Sequence, residues 1–220
     1  MGHHTPTPTT PAGPTATPTT APATLLNVAL QLPGIGQGGN LSPQHKTRTL
    51  HVSIYAADVD PTQPNITPVF DNKTLQVTYD SGTGYFTNDS LNVGSLTTGD
   101  YQILFKSPGY LRKEVINTTD QTTSIHITAQ TTNQIPATKL IAGDIAALYN
   151  VMDVSDFYAL VGCYKDKASS STCTVGSQMA DINDDGVVDG IDLNYWLLGM
   201  STLSQTNQTN PGAGDGVTGD

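Results

Sequence analysis

The chain has 220 residues and a formal net charge of −10, with only 13% charged and 6% aromatic residues. Length allows one or two modest domains, the lack of any basic stripe leaves nucleic acid a poor candidate partner, and no apolar run reaches the ~18 residues of a membrane span. Two cysteines rule out both a disulfide scaffold and a zinc site of four thiolates.

Met1, Gly2, His3 and His4 lead straight into Pro and Thr without the apolar stretch of a secretion signal. The signal is expected to have been removed, or the sequence to be a piece of a longer one. Residues 5–23 hold six Pro and eight Thr and no charged side chain. Fixed φ angles and missing donors favour extended polyproline II there, so 1–23 reads as a stalk or linker.

From 24 to 139 the pattern has period two. Leu25, Val28 and Leu30 open it; Leu50, Val52 and Ile54 alternate with His51, Ser53 and Tyr55. Leu75, Val77 and Tyr79 repeat the alternation, as do Tyr101, Ile103 and Phe105, with shorter runs at 111–116 and 124–127. Short strands separated by Gly, Pro, Asn and Asp clusters predict an antiparallel β-sandwich. The stretch from Gly99 through Tyr101 to Gly109 and Tyr110 resembles the strand and corner of carboxypeptidase-regulatory-like and transthyretin-like sandwiches, which speaks to fold and hardly to function.

Residues 140–203 change character. Nine Asp stand against two Lys, and Phe157, Leu160, Val161 and Tyr164, like Leu193, Trp196, Leu197 and Met200, fall at helical spacing. Residues 204–220, polar and glycine-rich, read as a disordered tail. Between the helices, Asp181, Asn183, Asp185, Asp189 and Asp192 place oxygens at positions 1, 3, 5, 9 and 12 of a twelve-residue loop, with Gly186 at position 6. Calcium is a hard cation that takes six to eight oxygens, and such a loop can curl these side chains and the Val187 carbonyl around it. Without a cation, five carboxylates within twelve residues (Asp184 included) would repel one another. An Asx-rich turn that binds nothing is the plain alternative.

Position 12 is Asp and no clear helix precedes the loop, so the pattern resembles the loop-then-helix half-motif of a type I dockerin rather than an ordinary EF-hand. A dockerin has two such halves. Upstream, Asp144, Asp153 and Asp156 keep positions 1, 9 and 12 and Asn150 stands at the turn, while Ala146, Ala147, Leu148 and Tyr149 replace the position 3 and 5 ligands with one residue too many. The fold expected here is thus a small helical calcium domain with an intact second repeat and a degenerate first. The resemblance implies Ca2+ as cofactor, a cohesin-type partner and a place in an extracellular or cell-surface assembly for polysaccharide degradation. A sandwich directly before it resembles the X-module arrangement. The family reads its partner through positions that fall here on Val154 and Ser155, and on Gly190 and Ile191. Because the two pairs differ, a symmetric dual binding mode is not expected.

Cys163 and Cys173 close a short interval. A local disulfide is the natural reading in a secreted chain; two separate thiols are the other. His45, His51 and His126 have no ligand spacing and read as strand or loop surface. Asp58 and Asp60 lie in a loop, and no catalytic motif occurs, so no enzyme is expected. Two further functions compete: a structural surface or filament subunit built from copies of the chain, with calcium only stabilising it, and carbohydrate binding by the sandwich. The last needs exposed aromatics, for which Tyr55, Tyr85 and Tyr110 are the candidates.

Overall fold

A computed structural model of the chain describes residues 1–3, 22–63, 65–146, 150–164, 173 and 177–206. Most of the stalk and all of 207–220 lie outside them. The described part is mainly β. In chain order come β1 Leu25–Gln31, β2 Thr47–Ala56, β3 Phe70–Asp80, β4 Tyr85–Asn92, β5 Gly99–Lys106, β6 Gly109–Leu111, β7 Lys113–Glu114, β8 Ile125–Ile127, β9 Thr132–Gln134, β10 Thr138–Lys139 and β11 Ile141–Asp144. Three helices follow: α1 Val154–Gly162, α2 Ser177–Ala180 and α3 Gly190–Thr206. The last runs three residues into the segment read as tail.

Nine strands bond in the order β10-β1-β4-β3-β2-β5-β7, with β9 also on β1 and β8 also on β5; β6 and β11 form a separate pair. The interior strands are antiparallel, β3 and β4 through a short hairpin at 81–84. The edge differs from the sequence expectation: β9 and β10 run parallel to β1. They return about a hundred residues later through long connections, so no tight turn fixes their direction. The alternating apolar residues form the core, with Leu26, Leu30, Leu50, Val52, Ile54, Val77, Phe86, Ile103 and Phe105 all fully buried or nearly so.

Strand β2 departs from simple alternation, because His51, Ser53 and Tyr55 are buried as well. The connection after β2 returns over this face, and Gln102 of β5 donates from Nε2 to the carbonyls of Ala57 and Val59 at 3.0 and 2.7 Å. His51 is therefore not a surface histidine. Tyr110 is buried too, its hydroxyl 3.5 Å from the Ile182 carbonyl, where the strands meet the loop at 181–192. Two of the three aromatics that carbohydrate binding would need are thus covered.

The helical segment shares this core. Ile141, Ile145, Met152, Leu160, Ala180, Ile182, Val188 and Trp196 continue one apolar cluster with the strands. Helix α3 approaches β11 at Gly199, where a Cβ would sit 2.4 Å from the Ala142 carbonyl oxygen. In an open helix Gly→Ala gains about 1 kcal/mol. Here Gly199→Ala is expected to cost about 1–3 kcal/mol by overpacking. Thermal denaturation checks this, and an unchanged or raised melting temperature would refute so close an approach.

Candidate metal centre

The second loop lies between α2 and α3, a one-turn helix before it and a long one after. Gly186 at position 6 has φ of +95°, a conformation that glycine adopts without strain. Asp181 Oδ2 accepts from Gly186 N at 2.8 Å and Oδ1 from Asp185 N at 3.1 Å. Asp192 Oδ1 accepts from Asn183 N at 3.2 Å and Oδ2 from Asp189 N at 2.9 Å. Asp189 Oδ1 in turn accepts from Ile191 N at 2.8 Å and opens α3. Asn183 and Asp185 are bonded to each other, Nδ2 to Oδ2 at 2.9 Å and Oδ1 to the Asp185 N–H at 3.1 Å.

The first loop repeats four of these bonds, those made by its first, ninth and twelfth positions. Asp144 Oδ2 accepts from Asn150 N at 3.2 Å, as Asp181 does from Gly186. Asn150 has φ of +59°, the left-handed conformation that Asn tolerates best after glycine. Asp156 Oδ1 accepts from Ala146 N at 2.9 Å and Oδ2 from Asp153 N at 2.8 Å, as Asp192 does from Asn183 and Asp189. Asp153 Oδ1 accepts from Ser155 N at 2.7 Å, and with Asp156 it forms a capping box on α1. Positions 147–149 lie outside the described residues.

Electrostatics separate the two. Asp181 and Asp192 are buried to 1% and 0% exposure. Burial pushes the Asp181 carboxyl up to about 6, assisted by the charges of Asp192 and Asp184 and opposed by the amides of Gly186 and Asp185. Burial also raises Asp192, against the amides of Asp189, Asn183 and Ile182. Among the described residues no Lys or Arg pairs with either group, and no three acidic, histidine or cysteine side chains converge closely enough to grip an ion as they stand. The oxygens present suit a hard cation in kind and number: four carboxylates, one amide and one carbonyl. Several now bond backbone amides within the same loop, so a cation would have to draw them inward.

Asp184, at the non-ligating position 4, is fully buried and held from the sandwich side. Arg48 Nη2 lies 3.1 Å from its Oδ2 and His45 Nδ1 2.6 Å from its Oδ1, while the His45 N–H donates to Oδ2 at 2.7 Å. Asn40 Nδ2 donates to the Asn183 and Asp184 carbonyls, each at 2.9 Å, and Gln44 Nε2 to the Asp185 carbonyl at 3.0 Å. A clamp from the β1–β2 connection therefore grips the outer side of the loop. Nothing local in the sequence signals it, since its members lie about 140 residues away.

Cys163 and Cys173 are joined as a disulfide just after α1. Val154 and Ile191 are exposed large apolar residues at the two helix starts, with Ser155 exposed and Gly190 half-buried beside them. Tyr158 and Val161 extend the exposed stripe of α1, and Leu197 and Leu198 add to that of α3. Of these, Val161 and Leu197 belong to the two apolar sets at helical spacing. Ser53, His51 and Asp71 meet on the sheet, but hydroxyl and carboxylate both reach the same ring nitrogen, Nε2, while Nδ1 is buried with no partner among the described residues. A nucleophile–base–orienter relay uses the two nitrogens separately. Asp60 is capped in an exposed turn by Thr62 and Gln63.

No family model and no curated protein matches the chain. Among solved structures it is similar to two mutants of a type II cohesin–X-dockerin complex from Acetivibrio cellulolyticus. The C-terminal interface mutant gives a TM-score of 0.46 and the N-terminal interface mutant 0.45, each at 16% identity over 80% of this chain and 94% of the other.

Proposed function

We propose that the chain is a non-catalytic docking module of the dockerin kind. Its second loop binds one calcium ion through Asp181, Asn183, Asp185, the Val187 carbonyl, Asp189 and Asp192. Its helices α1 and α3 dock an extracellular cohesin-like protein, and the strand domain braces them. One observation carries this reading: two loop–helix units share a hydrogen-bond skeleton, and each is followed by a helix with large apolar side chains left uncovered. Exposed Val154, Tyr158 and Val161 fall at i, i+4 and i+7, one face of α1. A stripe of that kind on so small a helix is what a protein partner would cover.

Calorimetric titration against a panel of cohesins, with calcium and with chelator, tests the proposal. Binding by at least one cohesin, lost in chelator, is the expected outcome. Tyr158→Asp should weaken that binding by about tenfold or more with little change in melting, because Tyr158 is mostly exposed and its ring meets the neighbouring Phe157 edge-on, outside the buried core. A panel without a binder, or binding indifferent to Tyr158 and to calcium, would sink it.

A further inference from the structure

The two loops differ in the source of their positive charge. Loop two buries Asp181 and Asp192 with no Lys or Arg partner among the described residues. Loop one shares four of those bonds, and among the described residues the cation paired with its Asp144 is Lys106, the last residue of β5. Its side chain is 12% exposed and that of Asp144 1%, with Nζ 2.7 Å from Asp144 Oδ2. Nζ also donates to the Tyr110 carbonyl at 2.6 Å and lies 3.4 Å from the Ser107 carbonyl. An ammonium carries three donors and no acceptor, so three oxygens satisfy it. The turn after β5 supplies the Ser107 carbonyl and β6, opening on Gly109 at φ of +82°, the Tyr110 carbonyl.

We propose that Lys106 is the resident cation of loop one, a tethered ammonium that takes calcium's place beside Asp144. The inference rests on reading loop one as the partner of a calcium loop. It accounts for what that loop lacks. Calcium needs six to eight oxygens, whereas the ammonium is already satisfied, so Ala146 at position 3 and Leu148 at position 5 lose nothing by carrying none. Asp156, at position 12, spends its oxygens on the amides of Ile145, Ala146 and Asp153 and caps α1. The pair also fastens β5 of the sandwich to β11. A tethered cation cannot be chelated, so α1 and its apolar stripe keep their place when calcium is withdrawn.

Hydrogen exchange of the full chain, resolved by residue, tests this in calcium and in chelator. The amides of Asn150, Ala146 and Asp153 report loop one, and those of Gly186, Asp185 and Asn183 report loop two. In the wild type, protection in loop one is expected to be the same in both buffers. Lys106→Met should speed exchange of the loop-one amides by about tenfold or more, since a buried carboxylate loses its counter-charge, while Lys106→Arg keeps most of the protection. If Lys106→Met does not fold, the wild-type comparison and Lys106→Arg decide. Loss of loop-one protection on chelation, equal protection in Lys106→Met, or a second calcium bound by the wild type in calorimetry would each overturn the proposal. Failure of loop two to bind calcium would leave both buffers alike at loop two and count against the calcium reading alone, because the Lys106 variants are compared within chelator.

Discussion

Calcium titrated into the chain is expected to bind at one tight site, and Asp181→Ala to abolish it. On the proposed reading Asp181 would contribute a direct ligand at position 1, and its Oδ2 accepts from the Gly186 amide at the turn. Its removal leaves Asp192 and Asp185 facing an ion with one carboxylate fewer, which weakens both coordination number and Coulomb attraction. Binding at one hundred times the dissociation constant is worth about 2.7 kcal/mol of folding stability, so chelation should lower the melting of the wild type by that order and of Asp181→Ala hardly at all. Two equal sites in the calorimeter, or a melting profile indifferent to chelator, would defeat the assignment.

A pH signature goes with it. The folded Asp181 carboxyl sits at about 6 against an ordinary 3.8, so in the calcium-free chain folding takes up its proton. A raised carboxyl stabilises the fold in acid and loses that contribution as pH climbs from 3.8 through about 6. In chelator the wild type should therefore lose stability relative to Asp181→Asn across this window, the reverse of an ordinary carboxylate. In calcium the proton competes with the ion, and affinity should fall as pH drops through the same range. A flat difference curve would place the Asp181 charge in a solvated setting, and one of the opposite slope would mean that the fold favours the charged form.

What the sequence made legible was what chain neighbours decide. Both loop skeletons lie within about a dozen residues, so the spacing of Asp144, Asp153 and Asp156 already showed its kinship to that of Asp181, Asp189 and Asp192, one residue longer between the first two members. Strands β2, β3 and β5 showed in their alternation. Strand β4 did not, because Thr87 to Ser90 is a polar run between Phe86 and Leu91 that carries no period. The parallel pairing of β1 with β9 and β10 depends on long connections, and no local pattern encodes it. Val161 and Leu197 sit on stripes of the right helical spacing, yet the described core covers only part of each, leaving both exposed. Spacing finds a face and cannot say what lies against it. The costliest blind spot concerned charge. Read alone, Asp144 is a remnant whose loss should matter little, and Asp184 is one more repelling carboxylate. Lys106 and Arg48, distant in sequence, turn both into partners of buried cations.

Asp184→Asn is expected to destabilise the calcium-free chain by about 3–5 kcal/mol, the cost of stranding a buried charge. Asn tolerates the left-handed backbone at this position, where φ is +56°, so the variant removes charge without adding strain. What it strands is Arg48, whose side chain is 9% exposed, lies over the Phe86 ring at 5.9 Å and leaves Nε without a partner. The ring supplies only a weak cation–π attraction, far short of a carboxylate. Adding Arg48→Met removes the stranded charge while keeping apolar volume against Phe86, so the double variant should recover most of the loss, as buried ion pairs replaced by apolar side chains do. Calcium stoichiometry should stay at one in both variants, because position 4 supplies no ligand. Urea denaturation in chelator reads the cycle. A cost for Asp184→Asn below about 0.5 kcal/mol, within the ordinary range of surface substitutions, would mean that the sandwich touches this loop without holding it.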